Sequence, residues 1–416
     1  LRVALYTQHF VGVGHHMRTT RIARELARSH EVLVFDGGQP FEGPGARADS
    51  TRVALPAIVK TERGLEALDG RSTVAQAMQA RRQRLESRLR ALRPQLLVVE
   101  SFPLSRWGFR DEIFGAIALV RELDAQARVA CSIRDVPRAS QDSVRGPVRA
   151  WDPRLGRPVP TRPADDHLDH SAETLNEHFD ALLVHGDPQL TRLEDHVPWV
   201  PRLRIPLLYT GYVRQEAATP RGPAPGRRPR VTVSVGGGVN GQRLLLAAAE
   251  AWALLSRTPD CAGGEMVLFA GAFMSDAELG PVADACRRTG AVLRPFSADF
   301  ESELARSDLS VSRAGYNTVV ALLAAGVRAI ALPATDVSDQ AFRAERLRAL
   351  ELADTCDDVS ATPERLARMI ADRLRQPPPA VAIDLDGAKR TVQIAEALVG
   401  GDSAALAAAG MRLASG

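Results

Sequence analysis

Lysine is almost missing from this chain: Lys60 and Lys389 are its two lysines, and arginine supplies the remaining positive charge. Neither lies in a GxxxxGK[ST] loop, which excludes a P-loop ATPase or GTPase. Cysteine is scarce as well. Cys131, Cys261, Cys286 and Cys356 stand far apart, form no CxxC pair and have no neighbouring histidine at zinc-ligand spacing. Isolated buried thiols are therefore expected, with no metal ligands. A net charge of +3 gives little support to a nucleic-acid partner. No uncharged apolar run reaches the ~18 residues of a membrane span, and Arg18, Arg21, Arg24 and Glu25 interrupt residues 1–30 where a signal peptide would need its apolar stretch. A soluble cytoplasmic protein without a transmembrane segment is expected. All nine histidines, His9 to His196, precede residue 200, so any imidazole chemistry belongs to the first half.

What is present reads as α/β. At 416 residues the chain is long enough for two or three domains, and 45% apolar with 25% charged residues is ordinary globular composition. Arg2 to Thr7 is a short apolar run suited to a buried parallel strand, a glycine turn follows, residues 17–29 have helical spacing, and Glu31 to Asp36 is the next strand. That order opens a doubly wound domain. Gly12 and Gly14 allow a tight turn and bring His15 and His16 to the C-terminal edge of the first strand, where open α/β sheets bind ligands. An imidazole there can accept a proton near neutral pH, or it can simply cap the helix.

Residues 53–70 show poor periodicity. A helix over residues 73–92 carries Arg81, Arg82, Arg84, Arg88 and Arg90, a solvated face without interleaved aromatics. Residues 95–99 form a strand that delivers Glu100 to the same edge as His15, and the following ESFPLSRWGFRDE reads as a loop, either a pocket wall or core packing of Phe102 and Trp107. A strand from Arg128 runs into Arg134 and Asp135. Residues 137–163, rich in proline and without periodicity, suggest a lid or a surface insertion. The strand Ala181 to His185 ends in Gly186-Asp187-Pro188, where turn chemistry outweighs substrate contact.

Composition sets the boundaries at residues 1–216 for a first domain, 217–229 for a Pro, Gly and Arg linker, 230–400 for a second α/β domain and 401–416 for an Ala-rich tail that is partly disordered. The second domain repeats the pattern: strand 231–235, glycine turn Gly236-Gly237-Gly238, helix 242–256, strand 266–270, helix 276–288, strand 291–294 and helix 300–306. Asp308 to Gln340 then forms one βαβ unit, with a strand ending at Ser312, a turn at Gly315, a helix to Ala325 stopped by Gly326, and a strand to Pro333. Small residues and amide donors at that helix N-terminus favour a phosphate. A dinucleotide fold is the weaker alternative. Gly12 and Gly14 with Asp36 lack the third glycine, and Gly236, Gly238 and Gly241 lack the acidic residue that would hold a ribose.

Ser312-Arg313-Ala314-Gly315-Tyr316-Asn317-Thr318, the trailing LLAAG, and Asp339-Gln340 resemble the C-terminal signature of GT-B glycosyltransferases of the MurG type, with a family 28 type C-terminal domain. TQHFVGVGHHMR, ESFP, CSIRD, HGDP and YTGYV resemble the N-terminal half of predicted MurG-like glycosyltransferases. The resemblance spans roughly residues 1–350 and implies two Rossmann-like doubly wound domains facing each other across a cleft. It implies an inverting, metal-independent transfer of a sugar from a nucleotide-diphosphate donor, UDP-sugar foremost, to a small-molecule or lipid-linked acceptor hydroxyl or amine, with no cofactor. By the same resemblance Gly236, Gly237, Gly238, Ser312, Arg313, Ala314, Gly315, Asn317 and Thr318 contact the diphosphate and nucleotide, and Asp339 and Gln340 read the sugar hydroxyls, although Asp339 could instead cap its helix. His15 takes the part of base, with Glu100 as second choice or orienting partner, and Gly14, His16, Arg134, Asp135 and His185 stand near the cleft. One departure is plain: the glutamate that holds the ribose in MurG-type enzymes is matched by Ala321, which leaves the nucleotide open. A nucleotide-sugar hydrolase, a 2-epimerase and a non-catalytic nucleotide-binding protein are the alternatives.

Overall fold

The computed structural model describes residues 1–10, 14–39, 52–61, 64–136, 149–152, 157–160, 167–214, 228–236, 241–272, 274–297, 299–334 and 338–410, and at 14–15, 149–152, 157–160, 167–169 and 338 the backbone alone. Contacts divide the chain into two units. Unit 1 takes Leu1–Glu42, Ala46–Val213 and Asp386–Gly416, and unit 2 is chiefly Arg214–Leu385.

Unit 1 opens with β1 (Arg2–Thr7), α1 (Gly14–Leu26), β2 (Glu31–Asp36) and β3 (Arg52–Ala54), followed by a hairpin of β4 (Ile58–Thr61) and β5 (Gly64–Ala67). It continues through α2 (Val74–Leu92), β6 (Leu96–Glu100), α3 (Arg110–Leu123), β7 (Arg128–Arg134), a hairpin of β8 (Arg149–Asp152) and β9 (Arg157–Pro160), α4 (His167–His178), β10 (Ala181–His185) and β11 (Leu207–Tyr209). Seven parallel strands lie in the order β11-β10-β7-β6-β1-β2-β3. All of β6 and β10 and most of β1 are buried, as expected of parallel strands covered on both faces. The strand order reverses at β1, so β1 and β6 flank the crevice that such sheets use for ligands.

Unit 2 runs β12 (Arg230–Ser234), α5 (Gln242–Leu255), β13 (Glu265–Phe269), α6 (Asp276–Thr289), β14 (Val292–Arg294), α7 (Phe300–Ala305), β15 (Leu309–Ser312), α8 (Tyr316–Ala325), β16 (Arg328–Ala331), α9 (Ser338–Ala349), β17 (Asp354–Thr355) and α10 (Pro363–Arg375). Its parallel sheet has the order β14-β13-β12-β15-β16-β17, with the reversal between β12 and β15. Local chemistry explains the helix ends. Ser275 and Glu278 form a capping box at the start of α6, and Gly290, at φ 77°, ends it in the left-handed conformation. Gly326, at φ 58°, ends α8 in the same way.

Five expectations give way here. Arg81 is not on the solvated face of its helix: it is fully buried and paired with Glu112 at 2.8 Å. The segment after Glu100 is not all loop: α3 begins at Arg110, and Phe102 is fully buried with the Trp107 ring tilted against it at 5.2 Å between centroids. Helix α1 begins at Gly14 rather than Met17, so His15 and His16 sit in its first turn. Part of the proline-rich insertion is the β8-β9 hairpin. Finally, the chain after Asp386 belongs to unit 1 and not to the second domain, and it is helical through α11 (Gly387–Gly400) and α12 (Ser403–Ala409). Ile394, Ala395 and Leu398 of α11 bury against Val3, Leu5, Ile22 and Leu26. Alanine gives that stretch high helix propensity, and Asp402 caps α12 by accepting from the N–H groups of Ala404 and Ala405. The four cysteines are buried free thiols.

Candidate functional site

In unit 2 the ends of β12 and β15 are tied together, the Arg313 N–H donating to Ser234 O at 3.1 Å. The Gly236 N–H donates to Ser234 Oγ, also at 3.1 Å. Gly236 has φ 68°, a conformation that a side chain would strain, and a Cβ there would lie 3.7 Å from Thr318 Oγ1. The glycine turn and the first turn of α8 are thus neighbours. Gly315 caps α8 without a side-chain hydrogen bond, and no acidic residue occupies the first turn. Among the described residues no side chain caps the positive end of that helix, which suits an anion at the reversal of strand order.

The other residues of this stretch divide by role. Ser312 is buried and shares a 2.5 Å hydrogen bond with Ser310. Arg313 is also buried: it pairs with Asp358 at 2.8 Å and donates to Leu332 O and Pro333 O at 3.3 and 3.4 Å, which braces the turn. Ala314 is fully buried. Asn317 Oδ1 is buried without a hydrogen-bond partner among the described residues. Asp339 is 4% exposed and pairs with Arg343, itself fully buried, at 2.9 Å; Arg343 also donates to Ala314 O at 3.4 Å. Its carboxylate thus holds the arginine that braces the turn. Gln340 Oε1 accepts from the Ala334 N–H at 3.1 Å. Ala321 is 3% exposed, on the apolar side of α8. Gly237 and Gly238 lie outside the described residues.

In unit 1, Glu100 is buried at the end of β6, where Thr7 Oγ1 donates to it at 2.6 Å and Arg18 Nη2 pairs with its other oxygen. That carboxylate is committed to a buried ion pair, an arrangement that sequence spacing does not reveal. His185 is fully buried. Thr210 donates its hydroxyl hydrogen to Gly211 O at 2.8 Å, so it accepts from His185 Nδ1 at 2.8 Å, and Nε2 accepts from Ser132 Oγ at 2.8 Å. Burial, with Arg18 nearby, pushes this imidazole down to about 3, so it is neutral and structural. Asp135 is likewise enclosed, accepting from the Val136 N–H at 2.7 Å and from the Tyr212 hydroxyl at 3.0 Å. Arg134 ends β7, half-buried. Gly14 and His15 form the start of α1, and the side chain of His15 lies outside the described residues.

A cluster that joins His16 of the expected site to His9 and Asp36 lies beside this edge. His9, just past β1, and His16, in α1, both face Asp36 at the end of β2, with Nδ1 to oxygen distances of 3.4 and 3.2 Å. Arg52 Nη2 is 3.6 Å from Asp36 and 3.2 Å from both ring nitrogens of His16. Burial alone would lower His9 and raise Asp36. The facing carboxylate outweighs it and raises His9, and His16, His9 and Arg52 hold Asp36 well below the usual carboxylate range. His9 and Asp36 are 27 positions apart by number, so local spacing carries no signal for them; the nearest hint is the Gln8-His9 pair that ends the first strand.

Against this geometry one comparison decides. Residues 281–390 match the family model described as the glycosyltransferase family 28 C-terminal domain. That match covers about a quarter of the chain. It takes in the uncapped α8, the Arg313 brace and Asp339-Gln340. The chain is also similar to a UDP-N-acetylglucosamine–N-acetylmuramyl-(pentapeptide) pyrophosphoryl-undecaprenol N-acetylglucosamine transferase of Corynebacterium efficiens, 33% identical over 111 residues, which are 26% of this chain and 30% of that protein. Among solved structures it is similar to MurG of Acinetobacter baumannii (TM-score 0.55, 14% identity, 95% of this chain and 99% of that one). It is equally similar to a putative UDP-N-acetylglucosamine 2-epimerase of Listeria monocytogenes (TM-score 0.55, 12% identity, 97% and 98%). Likeness at that identity is likeness of fold. The chain therefore has a GT-B fold with two Rossmann-like units.

Proposed function

We propose that this protein is an inverting glycosyltransferase that takes a sugar from a nucleoside diphosphate donor, UDP-sugar first, without a cofactor. The observation that carries the proposal is the uncapped N-terminus of α8, set beside Gly236 at the reversal of strand order within a family 28 domain. There, amide donors and the helix dipole would take up the charge that develops on the leaving diphosphate. His15 is assigned the acceptor proton, because the two oxygens of Glu100 are engaged by Thr7 and Arg18. The acceptor is a small molecule or, by analogy with the undecaprenol-linked substrate of the Corynebacterium relative, a lipid-linked one. No helix among the described residues is long and apolar enough to cross a membrane, and a lipid-linked acceptor would be met at the membrane surface.

The test is direct. Calorimetric titration should show UDP bound in preference to TDP or GDP, and donor consumption should require an acceptor. His15→Ala should abolish turnover and leave UDP affinity within about twofold; unchanged turnover sinks the assignment of the base. The similarity of fold to a 2-epimerase keeps a second reading in play. Sugar released or epimerised from a donor panel without acceptor would replace transfer by hydrolysis or epimerisation.

A further inference from the structure

The cluster His9, His16 and Asp36 does not enter the proposed transfer. The three residues are 5%, 2% and 8% exposed, and one ligand atom from each lies within 4.8 Å of the others. From these residues we infer a binding site for a divalent first-row metal ion of the zinc class, held by His9 Nδ1, His16 and the Asp36 carboxylate.

Three observations converge on it. The first is geometric: ligand atoms about 2.1 Å from a tetrahedral ion are about 3.4 Å apart; His9 Nδ1 is 3.4 Å from Asp36 Oδ1 and His16 Nδ1 3.2 Å from Asp36 Oδ2, and one ligand atom from each of the three lies within 4.8 Å of the others, so a small closing of side chains would seat an ion. The second is the outer shell. His9 Nε2 lies 2.9 Å from Gln39 O and donates to it, which in the neutral ring leaves the lone pair on Nδ1. Hydrogen-bonding the far nitrogen to a backbone carbonyl is how proteins orient a metal-binding imidazole. The Gly38 N–H donates to Asp36 Oδ1 at 3.2 Å, and a Cβ at Gly38 would come within 2.2 Å of the His9 ring, so glycine there makes room for the imidazole. Behind them, buried Arg81 donates to Gly37 O at 3.1 Å and fixes the chain next to Asp36.

The third observation is electrostatic. His9 Nδ1 is buried without a hydrogen-bond partner among the described residues and faces a carboxylate oxygen. A lone pair opposite a carboxylate is repulsive unless a cation lies between them, either a proton or a metal ion. Two imidazoles and one carboxylate select imidazole-binding metals over magnesium or calcium and leave one position of a tetrahedral ion open. Arg52 supplies compensating charge from one side. Its side chain, 24% exposed at the edge strand β3, also donates to Thr20 Oγ1 at 3.2 Å, and an ion would have to displace it from His16.

The site does not depend on the transferase reading, and its test needs no substrate. Untagged full-length protein, stripped with chelator and dialysed, is titrated with Co2+ and then Zn2+. One equivalent of Co2+ should give the visible absorption of a tetrahedral nitrogen-oxygen site, and Zn2+ should bleach it. His9→Gln and Asp36→Asn should each weaken binding by at least tenfold, and Arg52→Ala should tighten it. Absence of the Co2+ spectrum overturns the inference in favour of a protonated His9 paired with Asp36, and binding undiminished in His9→Gln places the ion elsewhere. Should the substitutions unfold the protein, the wild type serves instead: Co2+-induced paramagnetic shifts on two histidine rings support the site, and their absence overturns it.

Discussion

At the scale of single residues, burial divides the polar groups near the strand ends into those that hold the fold and those left for chemistry. Glu100, Asp135 and His185 look alike in sequence, each a polar residue near the end of an apolar strand, yet all three are enclosed and hydrogen-bonded. His185 makes the consequence measurable. Its pKa falls from the ordinary value near 6.5 to about 3 on folding, so the unfolded chain binds a proton that the native state does not. Its stabilising contribution is complete above pH 6.5 and is lost as the pH falls towards 3, at about 1.4 kcal/mol per pH unit. Denaturant melts across that window should fall more steeply for the wild type than for His185→Gln, and the His185 ring signals should remain those of neutral imidazole at pH 5.

At the scale of elements, α8 and α9 form one device. Arg343 reaches from α9 to Ala314 O and holds Asp339, while Arg313 reaches from the turn to the end of β16. Two buried arginines thus brace the turn that leads into α8. Removing one member of a buried ion pair leaves an unpaired charge, which costs roughly 3–5 kcal/mol, whereas removing both costs far less. Arg343→Met should therefore lower unfolding free energy by about that amount, and Asp339→Asn with Arg343→Met should recover most of it. A double variant no more stable than Arg343→Met alone would mean that Asp339 answers to something other than this arginine.

At the scale of the whole molecule, the chain closes its first unit with its last residues. Helix α11 covers α1 and the face of β1 that carries Val3 and Leu5. Deleting residues 387–416 should expose that apolar face and unfold unit 1, while unit 2 keeps its own core and still melts cooperatively. Hydrogen exchange by peptide would show the loss confined to residues 1–213; protection retained there would deny α11 its structural role.

Most of the strand and helix pattern was legible in the order of residues, because apolar runs, period 3.6 and capping pairs such as Ser275-Glu278 act within one or two turns of chain. Gly236 was legible for a related reason: its left-handed backbone, at φ 68°, demands glycine locally. Strand pairing was not. Nor was the segment that covers β1, or the pairing of Glu100 with Arg18, of Asp339 with Arg343, and of His9 and His16 with Asp36. Those partners are brought together by the crossovers of two parallel sheets, and a charge buried by tertiary packing takes whichever opposite charge the packing delivers. Residue order alone determined where tight turns of small residues could form at the strand ends; the folded sheets decided which polar side chains at each sheet edge were already paired.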